Sequence, residues 1–477
     1  MKYIIGIDGG TQSTKVGIYD LEGNVVCQAR KELRPLYVPD ADTAEHPEDD
    51  LWDSLKAVCS EVMEQFQGDA QQIIGIGLGS IRCCRVYLKQ DGTLAYPVIN
   101  WMDRRLSKPY QKDLPETAYI TTTTGYLTHR LTGEKKDTAA NYEGVYGPLD
   151  RENWKWSEDA QDYIPYNLTR KMLFDLVLPG DELGKITKKA NEETGLPEGC
   201  PVYATANDKA AEALGAGLYN EDSVLVSLGT YIGGMMKGDR YIDAAKHYWT
   251  NLADVPYEYL YETTDGIRRG MWSITWFKEL LGKEIEETAA SMRKSVEDLL
   301  EEEAKEIAPG SEGLITVGEF LAPNSAPYRK ALFIGLDGRH KRAHMYRSIM
   351  ESIAMTMEIS VKNMCNELER EPERLIISGG GSNSDLFMQI FADVFGMKTV
   401  RNVISNTAGM GAAINAAVGA GCYADYKTAV EKMVKIKDAF EPNQKHHDLY
   451  EKVINEVYAD IKDYIDPVNQ KIHSIFG

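Results

Sequence analysis

The sequence predicts an α/β fold built from two related halves, because one local pattern opens each half. Residues 3–7 and 16–19 are short apolar runs on either side of a polar, glycine-containing turn, as in two paired strands. Residues 223–228 form a second apolar run that leads into Gly229 and Thr230, with further apolar residues behind them. A strand–Gly–Thr–strand unit at the start of each half indicates an internal duplication.

Strands and helices alternate through the rest of the chain, which supports the α/β class. A length of 477 residues favours two to four domains, and we place the boundary in the segment 215–222, giving domains 1–220 and 221–477. We expect helices at 52–66, 271–281, 346–368 and 385–395, buried strands at 73–78 and 375–377, an acidic helical region at 283–307, and a last helix whose apolar stripe, between residues 450 and 465, packs in the core.

Charge and cysteine content limit the partners and the compartment. The net charge of −20 argues against nucleic acid or an anionic membrane surface as a partner. An acidic protein that binds a nucleotide needs backbone amides, helix N-termini and a metal ion. The seven cysteines show no CxxC spacing, no apolar run is long enough to cross a bilayer, and residues 1–8 do not form a signal peptide. These features predict reduced thiols and a cytoplasmic protein.

The turn between the first two strands carries the side chains that Mg²⁺ and phosphate oxygens prefer. Asp8 ends the first strand, and glycines, hydroxyl side chains and Lys15 follow it. Gly229 and Thr230 end the equivalent strand of the second half. Two such turns that face each other across a cleft could hold a polyphosphate from both sides. The alternative is an ordinary β-hairpin with a polar turn.

A glycine loop at 378–384 lies between a predicted strand and a predicted helix. Its three glycines leave room for a flat ring or a ribose, and the helix N-terminus supplies free N–H groups. The alternative is a tight turn without a ligand. The sequence contains no GxxxxGK[ST] motif, so it is not a P-loop nucleotidase.

Asp208 is the candidate general base. It follows the apolar residues Val202 and Tyr203 and begins a helix rich in alanine and glycine. A carboxylate at a strand end, facing a cleft, can accept a proton from an attacking hydroxyl. The alternative is that Asp208 only caps the helix, although one side chain can do both.

Arg82 and Asp103 are candidates for binding a polyol. Arg82 follows the strand at 73–78, and Asp103 lies with Arg105 in a Trp-Met-Asp-Arg-Arg segment. A polyol site needs converging hydrogen-bonding groups beside an apolar wall. A surface ion pair between neighbouring loops is the alternative.

The order of these motifs along nearly the whole chain resembles that of the FGGY family of carbohydrate kinases. The motifs that carry the resemblance are Asp8 to Thr11, Ser80 to Arg82, Trp101 to Arg105, Leu131 to Glu134, Asp208, Gly229 with Thr230, Gly379 to Ser384, and Gly409 to Ala413. The resemblance implies two actin-like (ribonuclease H-like) domains, with the active site and ATP in the cleft between them.

The resemblance also implies a role for each candidate residue. Asp8 would hold Mg²⁺ through water, Asp208 would be the catalytic base and a substrate contact, and Arg82 and Asp103 would bind the sugar. ATP and its phosphates would be bound by Gly10, Thr11, Gln12, Lys15, Gly229, Thr230, Gly380, Gly381 and Ser384.

The segments that recognise the sugar depart from the family pattern. Xylulose kinases usually have Gln-Met-His-Gly where this chain has Ser80 to Cys83, and Arg82 is closer to glycerol and autoinducer-2 kinases. The stretch from Arg105 to Leu131 is shorter than in typical members. We therefore expect a kinase of a small sugar or polyol, with a ketopentose such as xylulose favoured and glycerol or an autoinducer-2-like diol as alternatives.

Two other classes of function are also compatible with parts of the sequence. An actin-like ATPase would share the paired turns, and a sugar-binding regulator without catalysis would share the sugar motifs. For the assembly, a homodimer is the expectation.

Overall fold

Two mixed β-sheets organise the chain, one formed by strands before residue 205 and the other by strands after residue 222. The computed structural model describes residues 1–40, 42–110, 116–143, 147–323 and 325–476. The strands are β1 Tyr3–Gly9, β2 Ser13–Asp20, β3 Val25–Glu32, β4 Ile73–Ser80, β5 Val86–Leu88, β6 Tyr119–Thr121, β7 Lys136–Thr138, β8 Leu149–Asp150, β9 Lys155–Trp156, β10 Asp175–Val177, β11 Glu182–Lys185, β12 Pro201–Ala204, β13 Ser223–Leu228, β14 Ile232–Gly238, β15 Tyr248–Leu252, β16 Tyr259–Thr263, β17 Ile315–Val317, β18 Leu332–Ile334, β19 Arg374–Gly379, β20 Lys398–Asn402 and β21 Ile436–Phe440. The α-helices are α1 Asp50–Gln65, α2 Thr123–Thr132, α3 Lys188–Thr194, α4 Asp208–Gly215, α5 Trp272–Leu281, α6 Lys283–Ser291, α7 Val296–Lys305, α8 Arg342–Leu368, α9 Asp385–Phe395, α10 Thr407–Gly419, α11 Tyr426–Met433, α12 Gln444–Val453 and α13 Ile461–Phe476.

The two sheets have the same internal plan. The first has the order β11-β12-β4-β1-β2-β3, and the second has the order β15-β16-β14-β13-β19-β20-β21. The first strand of each half, β1 or β13, pairs antiparallel with the next strand in sequence, β2 or β14, and parallel with β4 or β19 on its other side. Beyond that parallel partner lie a further parallel strand, β12 or β20, and an antiparallel edge strand, β11 or β21. Strand β15 is the addition in the second sheet. This is the topology that an internal duplication predicts.

The parallel strands bring the sequence motifs to one edge of each sheet. In the first sheet β1 and β12 both run parallel to β4, so the chain leaves all three strands at the same end. In the second sheet β13 pairs with β19 so that Leu228 lies opposite Gly379. The phosphate-turn candidates, Arg82 and Asp208 therefore follow strand ends, which is where open α/β sheets bind ligands.

Each sheet has its own apolar core. In the first half Ile5, Ile7 and Val16 of the sheet pack with α1, whose Leu55 and Val58 are fully buried. In the second half α8 and α9 form the corresponding layer on the sheet. These cores provide the rigid supports on which the strand-end turns are mounted.

Helix α10 belongs to the second half by sequence but packs against β1 and α4 of the first. Glycine makes this contact possible. A Cβ atom on Gly6 would lie 1.9 Å from the carbonyl oxygen of Gly409, and one on Gly215 would lie 1.9 Å from that of Thr407. Only a residue without a side chain allows the backbones to approach this closely.

The expected elements at 52–66, 73–78, 271–281, 346–368, 375–377 and 385–395 are confirmed by α1, β4, α5, α8, β19 and α9, within a few residues at their ends. The acidic helical region at 283–307 is confirmed and consists of two helices, α6 and α7, separated by residues 292–295, where Arg293 has a φ of 57° and Ser295 caps α7. No helix in the described ranges is long and apolar enough to cross a membrane.

The prediction that the apolar stripe of the last helix packs in the core is wrong for part of its residues. Tyr450, Ile454, Tyr458 and Ile461 are buried, but Val457 is 42% exposed and Tyr464 is 76% exposed. A π-helical turn at Ile454–Tyr458 lies between α12 and α13 and changes the direction in which the following side chains point. A single helical period therefore does not run through the whole stripe.

Candidate active site

Asp8 lies at the end of β1, directly opposite Lys15 of β2. The Lys15 Nζ is 3.2 Å from Asp8 Oδ2, and the Asp8 side chain is only 7% exposed. In the described part of the chain no cluster of three His, Cys, Asp or Glu side chains could hold a metal. Mg²⁺ usually binds one or two carboxylates together with waters and substrate phosphates, so a lone Asp8 fits an ion that arrives with a nucleotide.

The turn after Asp8 is held by a few specific contacts. The Gly10 amide donates to the carbonyl oxygen of Ser13 at 3.0 Å. The indole Nε1 of Trp101 donates to Thr11 Oγ1 at 3.1 Å, which joins the Trp101 loop to this turn. These contacts hold the backbone of the turn in one conformation, and Gln12 is its exposed member.

The turn of the second half, Gly229 with Thr230, is tied to the start of α5. The Gly270 amide donates to the Thr230 carbonyl at 3.0 Å, and the Met271 amide donates to the Gly229 carbonyl at 3.2 Å. These bonds fix the path of the backbone, and the Thr230 side chain remains exposed.

The glycine loop after β19 lies beside this turn. A Cβ atom added to Gly380 would have no neighbour within 4 Å, so space is open there. At Gly381 it would lie 2.7 Å from Leu228 Cδ1, so a larger residue there would require the Leu228 side chain to move. Ser384 caps α9 by accepting from the Phe387 amide at 3.1 Å. The loop offers an open face next to a helix N-terminus.

Asp208 is the first residue of α4 but not its cap. Asn207 is the cap, because its side chain accepts from the Lys209 and Ala210 amides at 3.1 and 3.0 Å. The Oδ1 atom of Asp208 is buried and has no hydrogen-bond partner in the described structure. Burial raises the pKa of Asp208 to about 6, although Lys209 and Arg82 oppose the shift. A buried acceptor of this kind is ready for a proton near neutral pH.

Lys209 and Glu212 form a largely buried ion pair on the same helix, which the sequence motifs did not indicate. Lys209 Nζ is 2.9 Å from Glu212 Oε2 and donates to Ser227 Oγ at 2.7 Å. Ser378 Oγ donates to Glu212 Oε1 at 2.5 Å. Burial opposes the ionised form of Glu212, but Lys209 and the Ser378 hydroxyl hold its pKa below the ordinary value. The helix of Asp208 is thereby connected to both strands that lead into the second-half turns.

Arg82 reaches across the cleft to the other sheet. Its Nη2 is 2.6 Å from Glu262 Oε2 of β16, and its Nη1 donates to Asn251 Oδ1 of β15 at 3.2 Å. Neither partner was predicted. The only sequence signal was a charged residue in the apolar strand at 259–263.

Asp103 is bound by its own loop and by the segment at Ala44. Its carboxylate accepts from the Ala44 amide at 2.8 Å and from the Arg105 amide, Nε and Nη2 at 2.8, 2.9 and 2.6 Å. The pair differs from the expected alternative, a surface ion pair between neighbouring loops, because the Asp103 side chain is 0% exposed and Arg105 belongs to the same segment. A contact of Asp103 with the sugar stays a prediction. Residues 111–115 of the short segment from Arg105 to Leu131 lie outside the described residues.

A further buried carboxyl group, Glu143, lies near Arg82. The Leu252 amide donates to its Oε2 at 2.7 Å, and burial raises its pKa to about 8. Cys83, next to Arg82 in sequence, has its Sγ 3.7 Å from the Glu143 carbonyl oxygen. The cleft therefore contains several carboxyl groups at different states of ionisation, a pattern common at catalytic sites.

The chain matches the FGGY family of carbohydrate kinases in two segments, the N-terminal domain at residues 3–116 and the C-terminal domain at 224–420. It is 48% identical to the uncharacterized sugar kinase YgcE of Escherichia coli K12 over 474 residues, which are 99% of this chain and 96% of that protein. It is 27% identical to a xylulose kinase of Lactococcus lactis, covering 95% of each.

Solved structures show the same fold. The xylulose kinase of Rhodospirillum rubrum superimposes with a TM-score of 0.82 at 22% identity, covering 98% of this chain and 100% of that chain. The gluconate kinase of Lactobacillus acidophilus gives 0.82 at 20% identity, covering 99% of each chain. The expected actin-like α/β fold with two domains is confirmed. With both family segments present in order, and with a relative 48% identical over 99% of the chain, the chain belongs to the FGGY family of carbohydrate kinases and is an ATP-dependent sugar kinase.

Proposed function

We propose that the enzyme transfers the γ-phosphoryl group of ATP to a hydroxyl group of a small sugar or polyol, with Asp208 as the general base. The observation that carries the proposal is the buried Oδ1 of Asp208, which has no partner in the described structure. The acceptor oxygen attacks the γ-phosphorus, the bond to the bridging β-phosphate oxygen breaks, and ADP leaves. The hydroxyl proton passes to Asp208.

The other candidates support this reaction by position and charge. The turn at Gly10, Thr11, Gln12 and Lys15 is proposed to bind the phosphates from the first half. Gly229 and Thr230 are proposed to bind them from the second half, and Gly380, Gly381 and Ser384 to line the adenosine pocket. Catalysis of this kind is mostly positioning and electrostatic stabilisation.

Asp8 is proposed to hold Mg²⁺, in part through water. Mg²⁺, when bound, would neutralise part of the negative charge of the ATP phosphates. The nearby ammonium group of Lys15 keeps the Asp8 carboxylate oriented toward the turn through the 3.2 Å contact.

The acceptor is proposed to be a ketopentose such as xylulose. The support is a set of relatives named xylulose kinase at 24–27% identity. Relatives named glycerol kinase and autoinducer-2 kinase, at 26% and 24% identity, keep those acceptors as alternatives. We also propose a domain boundary at about residue 220 and a homodimeric assembly. A cytoplasmic location is proposed as well, and the seven free cysteines support it.

The test is release of ADP from Mg²⁺-ATP in the presence of ketopentoses, ketohexoses, glycerol, alditols and autoinducer-2-like diols. One acceptor should stimulate the wild type, and kcat/KM should fall about tenfold per pH unit below pH ~6 as Asp208 becomes protonated. Asp208→Asn should lose about 10²–10⁴-fold in rate. Asp243→Asn, which changes an exposed aspartate, is the matched control. The proposal would be contradicted if ADP release needed no acceptor and was equally fast in the wild type and in Asp208→Asn.

A further inference from the structure

We propose that Glu262 determines the acceptor class by neutralising and orienting Arg82, so that the site takes neutral polyhydroxyl compounds and rejects sugar acids. The inference rests on the proposed function and extends it. It concerns a choice that the fold leaves open, because solved structures with this fold include both a xylulose kinase and a gluconate kinase.

The three side chains form one hydrogen-bonded unit between the two halves. Arg82 binds Glu262 at 2.6 Å and Asn251 at 3.2 Å, and Asn251 Nδ2 donates to Glu262 Oε2 at 3.1 Å. The Glu262 side chain is 1% exposed, whereas that of Arg82 is 23% exposed. Glu262 thus lies behind Arg82, and Arg82 is the member that faces the cleft.

The charge of Arg82 is already matched by this contact. A free arginine is the usual partner of a carboxylate ligand, because its planar guanidinium donates two parallel hydrogen bonds. A guanidinium has five N–H donors, and the bonds to Glu262 and Asn251 use two of them. The remaining donors can bind hydroxyl oxygens, but the net charge needed to balance an acceptor carboxylate is no longer available.

The other charged groups of the cleft also disfavour an acceptor that carries a carboxylate. Lys209 is paired with Glu212, and Lys15 lies beside Asp8 in the phosphate turn. Asp208, which interacts electrostatically with Arg82, is mostly ionised at pH 7, given its pKa of about 6. A sugar acid would therefore bring a further negative charge into a partly buried site whose cations have partners, which is costly.

The experiment compares each neutral acceptor with the sugar acid of the same carbon skeleton, using ADP release from Mg²⁺-ATP. Sorbitol with gluconate and xylitol with xylonate are such pairs, beside the best acceptor found in the panel. In the wild type, kcat/KM for the neutral acceptors should exceed that for the acids. A wild type that prefers the acid of its best acceptor would overturn the inference without any variant.

The variant Glu262→Gln keeps the shape of the side chain and removes its charge. We expect KM for the neutral acceptor to rise about ten- to hundredfold while kcat changes less, because Arg82 loses a charged hydrogen-bond partner. The ratio of kcat/KM for acid over neutral acceptor should rise by a similar factor, because Arg82 now carries uncompensated charge. If Glu262 had a merely structural role, kcat/KM would fall by the same factor for the acid and for the neutral acceptor, and this ratio would not change.

Glu258→Gln is the matched control. Glu258 lies just before the same strand and pairs with Lys237 at 3.1 Å. If Glu262→Gln fails to fold by circular dichroism, Arg82→Gln replaces it, with the expectation that neutral acceptors bind more weakly and acids remain unused. An acid-to-neutral ratio equal to that of the control refutes the inference and leaves the kinase reaction intact. No stimulation of the wild type by any acceptor refutes the proposed function, and this inference with it.

Discussion

The buried pair of Lys209 and Glu212 should tune the catalytic base as well as hold the helix in place. Both residues interact electrostatically with Asp208, and they do so with opposite signs: Lys209 lowers the pKa of Asp208 and Glu212 raises it. The acid limb is the fall in kcat/KM at low pH that follows protonation of Asp208, and it should lie near pH 6 in the wild type. We therefore predict that Glu212→Gln moves this limb to lower pH and that Lys209→Met moves it to higher pH.

The size of the shift follows from the contacts. In Glu212→Gln the carboxylate that raises the pKa of Asp208 is removed, while Lys209, which lowers it, remains. A nearby charge shifts a carboxyl pKa by about one unit or more, so we expect the pKa of Asp208 to fall by about one unit. In Lys209→Met the opposite occurs, and Glu212 is left as an additional negative charge, so the acid limb should move up by about one unit.

The same substitutions should destabilise the protein. Breaking a buried ion pair from one side costs about 3–5 kcal/mol, and we expect the lower end because the Lys209 side chain is 20% exposed and glutamine keeps some hydrogen bonds. The double variant Lys209→Met/Glu212→Gln leaves no unmatched charge. Its free energy of unfolding should exceed the value expected from adding the two single losses by about 1–3 kcal/mol.

Two measurements test this reasoning. The pH dependence of kcat/KM between pH 5 and 9 gives the acid limb, and urea unfolding of the same preparations gives the stability. Acid limbs that move in the same direction in the two single variants, or that do not move, would show that the pair does not act on Asp208. Purely additive losses of stability would show that the two side chains are not coupled.

Three further predictions concern other parts of the molecule. Asp8→Asn should raise the Mg²⁺ concentration needed for half-maximal ADP release by about tenfold or more while thermal stability changes little, because one carboxylate ligand is lost; an unchanged Mg²⁺ titration would contradict the role of Asp8. Gly6→Ala should cost about 1–3 kcal/mol in urea unfolding, because its Cβ would lie 1.9 Å from the Gly409 carbonyl oxygen, whereas Gly338→Ala meets nothing within 4 Å and is the control. Burial raises the pKa of Cys83 to about 11, so its thiol should react slowly with iodoacetamide at pH 8; fast labelling seen by mass spectrometry would refute this.

The parts of the site that the sequence revealed are those set by local chain geometry. A strand that runs into Gly-Thr can be recognised from a few neighbouring residues, and so can Asp208 after a short apolar strand. The choice between base and cap at Asp208 was not readable, because Asn207 and Asp208 are both good caps, and only the backbone shows which one accepts from the Ala210 amide.

The contacts around the proposed sugar site were less predictable, because the residues that make them are distant in sequence. Arg82 and Glu262 are 180 positions apart, and their contact depends on how the two halves meet. Glu262 offered one hint, since a charged side chain in a buried strand requires a partner. Lys209 and Glu212 offered another, because residues three apart on a helix lie on one face. Neither hint identifies the partner on the other half.

The glycine-mediated contact between α4 and α10 limits how the two halves can move relative to each other. The backbones touch at Gly215 and Thr407 without intervening side chains, so neither helix can slide along the other without a collision. Rotation about this contact is the movement that remains. Points on a rotating body travel in proportion to their distance from the axis, so we expect Asp208, on the same eight-residue helix as Gly215, to move less than strands farther from the contact. Fluorescent labels on the edge strands of the two sheets should then report opening and closing more strongly than labels on α4.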